Sequence, residues 1–157
     1  MVLDDFKLLA GSGGQADTAN FTEYIQKNMK LYTLNNEVGL GTHAAANFIR
    51  NELAKALRKG PFQTNLLLAG YDVNEGASMY FMDYLASFSK VQFGAQGYAA
   101  NFLLSVFDRE WKAGMTEEEG LGVIKKCIHE LHTRFLISQP NFTVKIVDKN
   151  GIRSIDI

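Results

Sequence analysis

The stretch "TNLLLAGYD", residues 64–72, constrains the fold more than any other. Leu66, Leu67, Leu68 and Ala69 form an unbroken apolar run, bounded by polar and turn residues. A run of this length reads as a strand. Both faces of that strand are apolar, so both must be covered by other layers. "SMYFMD", residues 78–83, repeats the pattern after the turn "VNEG". The chain must therefore build a sheet that is buried front and back.

The rest of the chain supplies the covers. Phe6 to Ala10 reads as a short strand. Phe21, Tyr24, Ile25, Asn28, Met29 and Tyr32 then recur at spacings of three and four, as on one stripe of a helix. Asp17 or Thr18 is expected to cap that helix. After the turn "LNNEVGLG", Thr42 is expected to cap a second helix, with Ala45, Phe48, Ile49, Leu53, Ala56 and Leu57 on its inner face. "KGP", residues 59–61, stops it. "FSKVQF", residues 88–93, alternates as a strand. A third helix carries Ala99, Phe102, Leu103, Val106 and Phe107. A fourth opens with Thr116 and Glu119 at capping-box spacing, and Leu121, Ile124, Ile128, Leu131 and Phe135 are its expected buried face. "NFTVKIVD" and "IRSIDI" flank Asn150-Gly151, a two-residue hairpin signal.

Helices therefore come in pairs and strands in hairpins. This order predicts an α+β chain with antiparallel sheets and a helix pair on each outer face: a four-layer αββα sandwich, in a single domain over residues 1–157.

"AGSGGQAD", residues 10–17, raises a competing possibility. Gly11-x-Gly13-x-x-Ala16 fits the G-x-G-x-x-G/A pattern of a dinucleotide-binding turn. That fingerprint needs a second, parallel strand with an acidic residue about 20 positions on. Glu37 lies near that distance, but in a turn followed by another helix. The glycines are read instead as the means of turning tightly from strand to helix.

Other candidates are weaker. His129 and His132 share a helix with Cys127 and Glu130, a spacing that could hold a metal. A buried thiol beside a partly solvated face accounts for them better, and neither a metal nor a cofactor is expected. His43 reads as a surface residue and "TEEEG" as a charged helix start. Lys125-Lys126 and Lys55-x-x-Arg58-Lys59 read as solvated charge groups. Cys127 is the only cysteine, so no internal disulfide can form. A reducing, cytosolic-type compartment follows as the default. The formal net charge of -1 gives no electrostatic reason to expect nucleic acid or an anionic membrane as partner.

"FTEYIQKNMKLYTLNN", "AAANFIRNELAKALR", "NLLLAGYDVNEGASMYFMDYLA", "GAQGYAANFLLSVFDREW" and "FTVKIVDKNGIRSIDI" together resemble a eukaryotic 20S proteasome beta subunit, closest to the one at the fourth position of the beta ring. The resemblance runs over essentially the whole chain. It implies the N-terminal-nucleophile hydrolase fold, which is the four-layer sandwich already reached. It also implies a hetero-oligomer of four stacked seven-membered rings, found in cytoplasm and nucleus. The expected partners are neighbouring beta subunits, an alpha-ring subunit and the opposite beta ring. Exposed Tyr24, Tyr32, Phe88, Phe93 or Trp111 are candidate contact residues.

Active subunits of that family use an N-terminal threonine whose own amine serves as base. In register with them, this sequence is expected to be N-terminally incomplete, lacking before Phe6 the segment that would carry the first hairpin strands, the nucleophile and a supporting lysine. Ala100, in "GYAA", falls where active subunits carry a serine. Phe135 falls at an aspartate position, while Ser138 matches a serine. Gly13 matches a glycine that pairs with substrate backbone, and Gly11 falls at the base of the substrate pocket. The resemblance thus implies a non-catalytic subunit with no catalytic residue of its own. The alternative is a threonine-type endopeptidase whose nucleophile lies in the upstream segment.

Overall fold

The computed structural model describes residues 1–157. Its elements are β1 (Val2–Asp4), β2 (Lys7–Gly13), α1 (Gln15–Asn36), α2 (Thr42–Leu57), β3 (Thr64–Asp72), β4 (Gly76–Met82), β5 (Phe88–Val91), α3 (Ala100–Glu110), α4 (Glu117–Arg134), β6 (Val144–Asp148) and β7 (Gly151–Ile155). Strands β1 to β5 form one antiparallel meander, and β6–β7 form a separate two-stranded ribbon. The chain is an α+β protein with paired helices and antiparallel sheets, as its element order predicts.

The apolar run of β3 occupies the centre of the five-stranded sheet, between β2 and β4. Leu66 and Leu68 point to one face with Tyr80 and Met82 of β4 and Leu9 of β2. Helices α1 and α2 cover that face with Phe21, Ile25, Met29, Ala45, Ile49 and Leu53, making a core of 14 buried residues. The opposite face of β3 meets the ribbon through β6. Helices α3 and α4 pack on each other around Val106, Val123 and Cys127, a second cluster of only three buried residues. Apolar burial is thus concentrated between α1–α2 and the large sheet, and that half carries most of the packing energy. No helix is long and apolar enough to cross a membrane.

Several details differ from the sequence expectations. Strand β1 was not expected; Asp4 makes it possible by accepting the Phe6 N–H in the tight turn to β2. Neither Asp17 nor Thr18 caps α1, whose cap residue is Gly14. Asp17 instead accepts the backbone N–H of Gln63, and Thr18 donates its hydroxyl to Thr64. Thr42 does not cap α2 either: the Asp72 carboxylate reaches across from β3 and accepts the Thr42 N–H at 3.0 and 3.1 Å. On α1, Phe21, Ile25 and Met29 are buried, while Tyr24 and Tyr32 face out. On α4, Leu131 alone of the five expected residues is buried. The inner line is Val123, Cys127 and Leu131, because α3 is the neighbour that α4 packs against. The capping box of Thr116 and Glu119 is present in full. At the β6–β7 turn only Gly151 has a positive φ, +95°. The φ of Asn150 is not positive, so the turn is not the doubly left-handed type that Asn-Gly most often adopts.

Candidate functional site: the glycine loop and the open face beside it

The loop from Ala10 to Asp17 joins the end of β2 to α1. Strands β2 and β3 are antiparallel, pairing from Lys7↔Gly70 to Gly13↔Thr64, and α1 leads into α2. A parallel strand after the loop is therefore absent, and with it the dinucleotide arrangement. The glycines serve internal packing. A β-carbon on Gly13 would lie 2.2 Å from the carbonyl oxygen of Gln63, and its φ is +131°. A β-carbon on Gly11 would lie 2.7 Å from the Thr18 methyl and 3.3 Å from Leu66. What comes close to these glycines is the chain itself. Gly14 N–H donates to Gln63 O at 2.9 Å, closing the loop onto the segment that leads into β3. Gln63 and Thr64 complete this cluster, although no local sequence signal marks them; only the strand register does.

The positions singled out in the later half converge at one end of the α3–α4 pair. Ala100 begins α3, with Gly97 at φ +86° in the turn before it. Phe135 ends α4, and its ring meets Phe102 edge-on at 6.2 Å. Ala100 offers no hydroxyl and Phe135 no carboxylate. Ser138 lies in the exposed stretch after α4. It lines a cavity of about 250 Å³ with His132. The His132 ring stands against Phe142 at 5.5 Å. This end of the molecule has the packing of a helix-pair terminus and no charge relay.

A larger cavity, of about 710 Å³, opens between the free face of the first sheet, α3, α4 and β6. Met79, Phe107, Trp111, Ile124, Ile128 and Ile146 are among the apolar side chains around it. A closed, empty cavity of that size would cost on the order of 15 kcal/mol. That matches the whole folding free energy of even a very stable domain, so in the isolated chain this face is open to water. Cys127 borders the cavity, and burial, followed by the charges of Glu110 and Glu130, pushes its thiol above the ordinary range. It behaves as a packed apolar group, without the thiolate character of a ligand or nucleophile.

His129 and His132 are both exposed, and no three His, Cys, Asp or Glu side chains converge where a metal could sit. His43 is exposed and sits 3.2 Å from the Tyr80 hydroxyl, with Asn47 on its other nitrogen. Of the aromatic residues considered for contacts, Phe88 stacks on Tyr80 and Phe93 lies between Phe107 and Trp111. Tyr24, Tyr32 and Trp111 remain exposed. Other apolar side chains are more exposed than these, among them Leu136 at 99%, Tyr98 at 88% and Leu34 at 69%. For Leu136 the run "FLISQP", apolar yet broken by a proline, is the one local signal; Tyr98 and Leu34 have none.

Residues 1–147 match the family described as Proteasome subunit. Proteasome subunit beta type-2-A of Arabidopsis thaliana is 51% identical over 153 residues, covering 98% of this chain and 75% of that protein. Proteasome subunit beta type-2 of Oryza sativa subsp. japonica is 49% identical, covering 98% and 72%. The protein of the same name in Dictyostelium discoideum is 48% identical over 154 residues, covering 96% and 77%.

Proposed function

Because the chain belongs to the family of proteasome subunits, we propose that it is a non-catalytic structural subunit of the 20S core particle, which degrades proteins in the ATP- and ubiquitin-dependent pathway. Membership of the family carries assembly with other proteasome subunits. The observation that supports a non-catalytic role is the pair Ala100 and Phe135, an alanine and a phenylalanine where active relatives hold a hydroxyl and a carboxylate. Its support comes from within the described chain and needs nothing from any upstream segment. The glycine loop adds to it: Gly11 and Gly13 are packed against Thr18, Leu66 and Gln63.

The proposed place is the fourth position of the beta ring, in contact with two ring neighbours, an alpha-ring subunit and the opposite beta ring, in cytoplasm and nucleus. Exposed apolar residues at the C-terminal end of α1, Leu31 and Leu34, and after α4, Leu136 and Ile137, suit burial in large interfaces.

Size separation of a native lysate tests the reading. The chain should run with a particle many times its own mass, together with other proteasome subunits. Recovery only as free chain would contradict it. A threonine-directed peptidase activity that tracks this chain would favour the endopeptidase alternative.

A further inference from the structure

The β6–β7 turn holds the chain's one Asn-Gly step, Asn150–Gly151, and no packing or assembly argument uses it. Lys149 and Asn150 are exposed at the tip. The Asn150 N–H donates to Asp148 Oδ1 at 2.7 Å, and the ladder closes at the pair Asp148↔Gly151. The ribbon has two strands, and neither outer edge pairs with a further strand. The ribbon rests on the first sheet through β6, but its tip is exposed and a single pair, Asp148↔Gly151, closes it, so the turn frays more readily than the ladder behind it. Gly151 itself is buried, with Asp5 O 3.3 Å from where a β-carbon would sit, so its nitrogen is reached only when the turn opens; being glycine, it tolerates the conformations that the opened turn visits.

We propose that Asn150 is a site of spontaneous deamidation and isoaspartate formation. Hydroxide removes the proton from the Gly151 amide, and that nitrogen attacks Asn150 Cγ. The N–Cγ bond forms and the Cγ–Nδ2 bond breaks; the leaving nitrogen takes a proton from water and departs as ammonia. Water then adds to one of the two carbonyls of the five-membered ring, and one ring C–N bond breaks. The product is an aspartyl or an isoaspartyl residue, with no change in oxidation state. In the closed turn the Asp148 carboxylate disfavours the Gly151 anion, so the step proceeds from the opened ribbon. An isoaspartyl product lengthens the backbone by one carbon and breaks the Asp148↔Gly151 register. Either product places a new carboxylate two residues from Asp148, whose partner Arg153 also holds Glu117 of α4. The modification therefore loosens the ribbon from the α3–α4 pair.

The full chain, incubated at neutral and at mildly alkaline pH and then digested, tests this. Amide loss is read by mass and isoaspartate by methyl transfer from an isoaspartyl-specific methyltransferase. Asn150 should deamidate several-fold faster than Asn74, an exposed turn asparagine followed by glutamate. The rate should rise in proportion to hydroxide, with isoaspartyl product in excess. Asn150→Gln should abolish methyl acceptance by the 150-containing peptide. Equal rates at Asn150 and Asn74, or undiminished methyl acceptance in N150Q, would overturn the proposal.

Discussion

The hydroxyl oxygen of Thr42 lies 2.3 Å from the point where a β-carbon on Gly70 would sit. Helix α2 thus rests directly on the backbone of β3, and Gly70 is fixed by contact. Its register partner is Ser78, and the hydroxyls of Thr42 and Ser78 are both buried without a partner. Gly70→Ala should destabilise the chain by about 2–3 kcal/mol through overpacking. Gly60→Ala, where nothing lies within 4 Å, is the control and should fall within about 0.5 kcal/mol of the parent. Denaturant unfolding of the two variants checks this; equal midpoints would refute the contact.

Gly13 tests the reading of the glycine loop. Any side chain there meets Gln63 O and must also hold φ near +131°. Gly13→Ala should cost about 3 kcal/mol or more, combining backbone strain with collision. A phosphate cradle would instead keep its fold and lose only a ligand. Thermal unfolding without any added nucleotide separates the two.

Ala86 is the reverse case. It is buried, adopts φ +62°, and its carbonyl accepts the Arg50 Nε–H at 3.2 Å. The left-handed conformation costs a non-glycine residue roughly 1–2 kcal/mol. Ala86→Gly should therefore leave stability unchanged or raise it by about 1 kcal/mol, despite losing a buried methyl. A loss above about 1 kcal/mol in calorimetry would mean that the methyl's packing outweighs the strain.

Helix α4 offers a balanced pair. Thr116→Ala removes the capping box and should cost about 1 kcal/mol. Gly122→Ala, in the same helix with open space at its β-position, should add roughly 0.5–1 kcal/mol. The double variant should unfold close to the parent, because the two effects oppose each other. A double variant as unstable as Thr116→Ala alone would contradict this.

The ribbon should respond to acid. Arg153 first, and then the Asn150 N–H, hold the Asp148 carboxyl below its ordinary range. A depressed carboxyl stabilises the fold above its unfolded pKa, near 4. That stabilisation is lost as pH falls through the folded value. Arg153→Gln should flatten this acid-side slope and lower stability at neutral pH by the matching amount, a small one because the pair is partly solvated. Unfolding midpoints across the acid range decide the point; an unchanged slope would remove Arg153 from the account.

Much of the fold was legible because its signals are local. The run at β3 was read with its correct bounds, Thr64–Asp72. The capping box of α4 was read residue for residue. The helix and hairpin pairing followed from the change of period along the chain. What could not be read depends on distant partners. Asp17 serves Gln63 and Asp72 serves Thr42, so two helix starts are fixed by residues 46 and 30 positions away. The buried face of α4 depends on which neighbour it meets, and periodicity alone does not separate Val123 and Cys127 from Leu121 and Ile128. At the candidate site, the glycine pattern was visible at once. That Gln63 and Thr64 fill the space around it depended on the β2–β3 register.

The central claim is membership of the proteasome core without catalysis. Its most direct test is to purify intact core particles, label them with a covalent probe for catalytic threonines, and identify every subunit by mass. This chain should be present and carry no label, while other beta subunits in the same particles are labelled. Its absence from the particles would refute membership, and a probe adduct on this chain would refute a non-catalytic role.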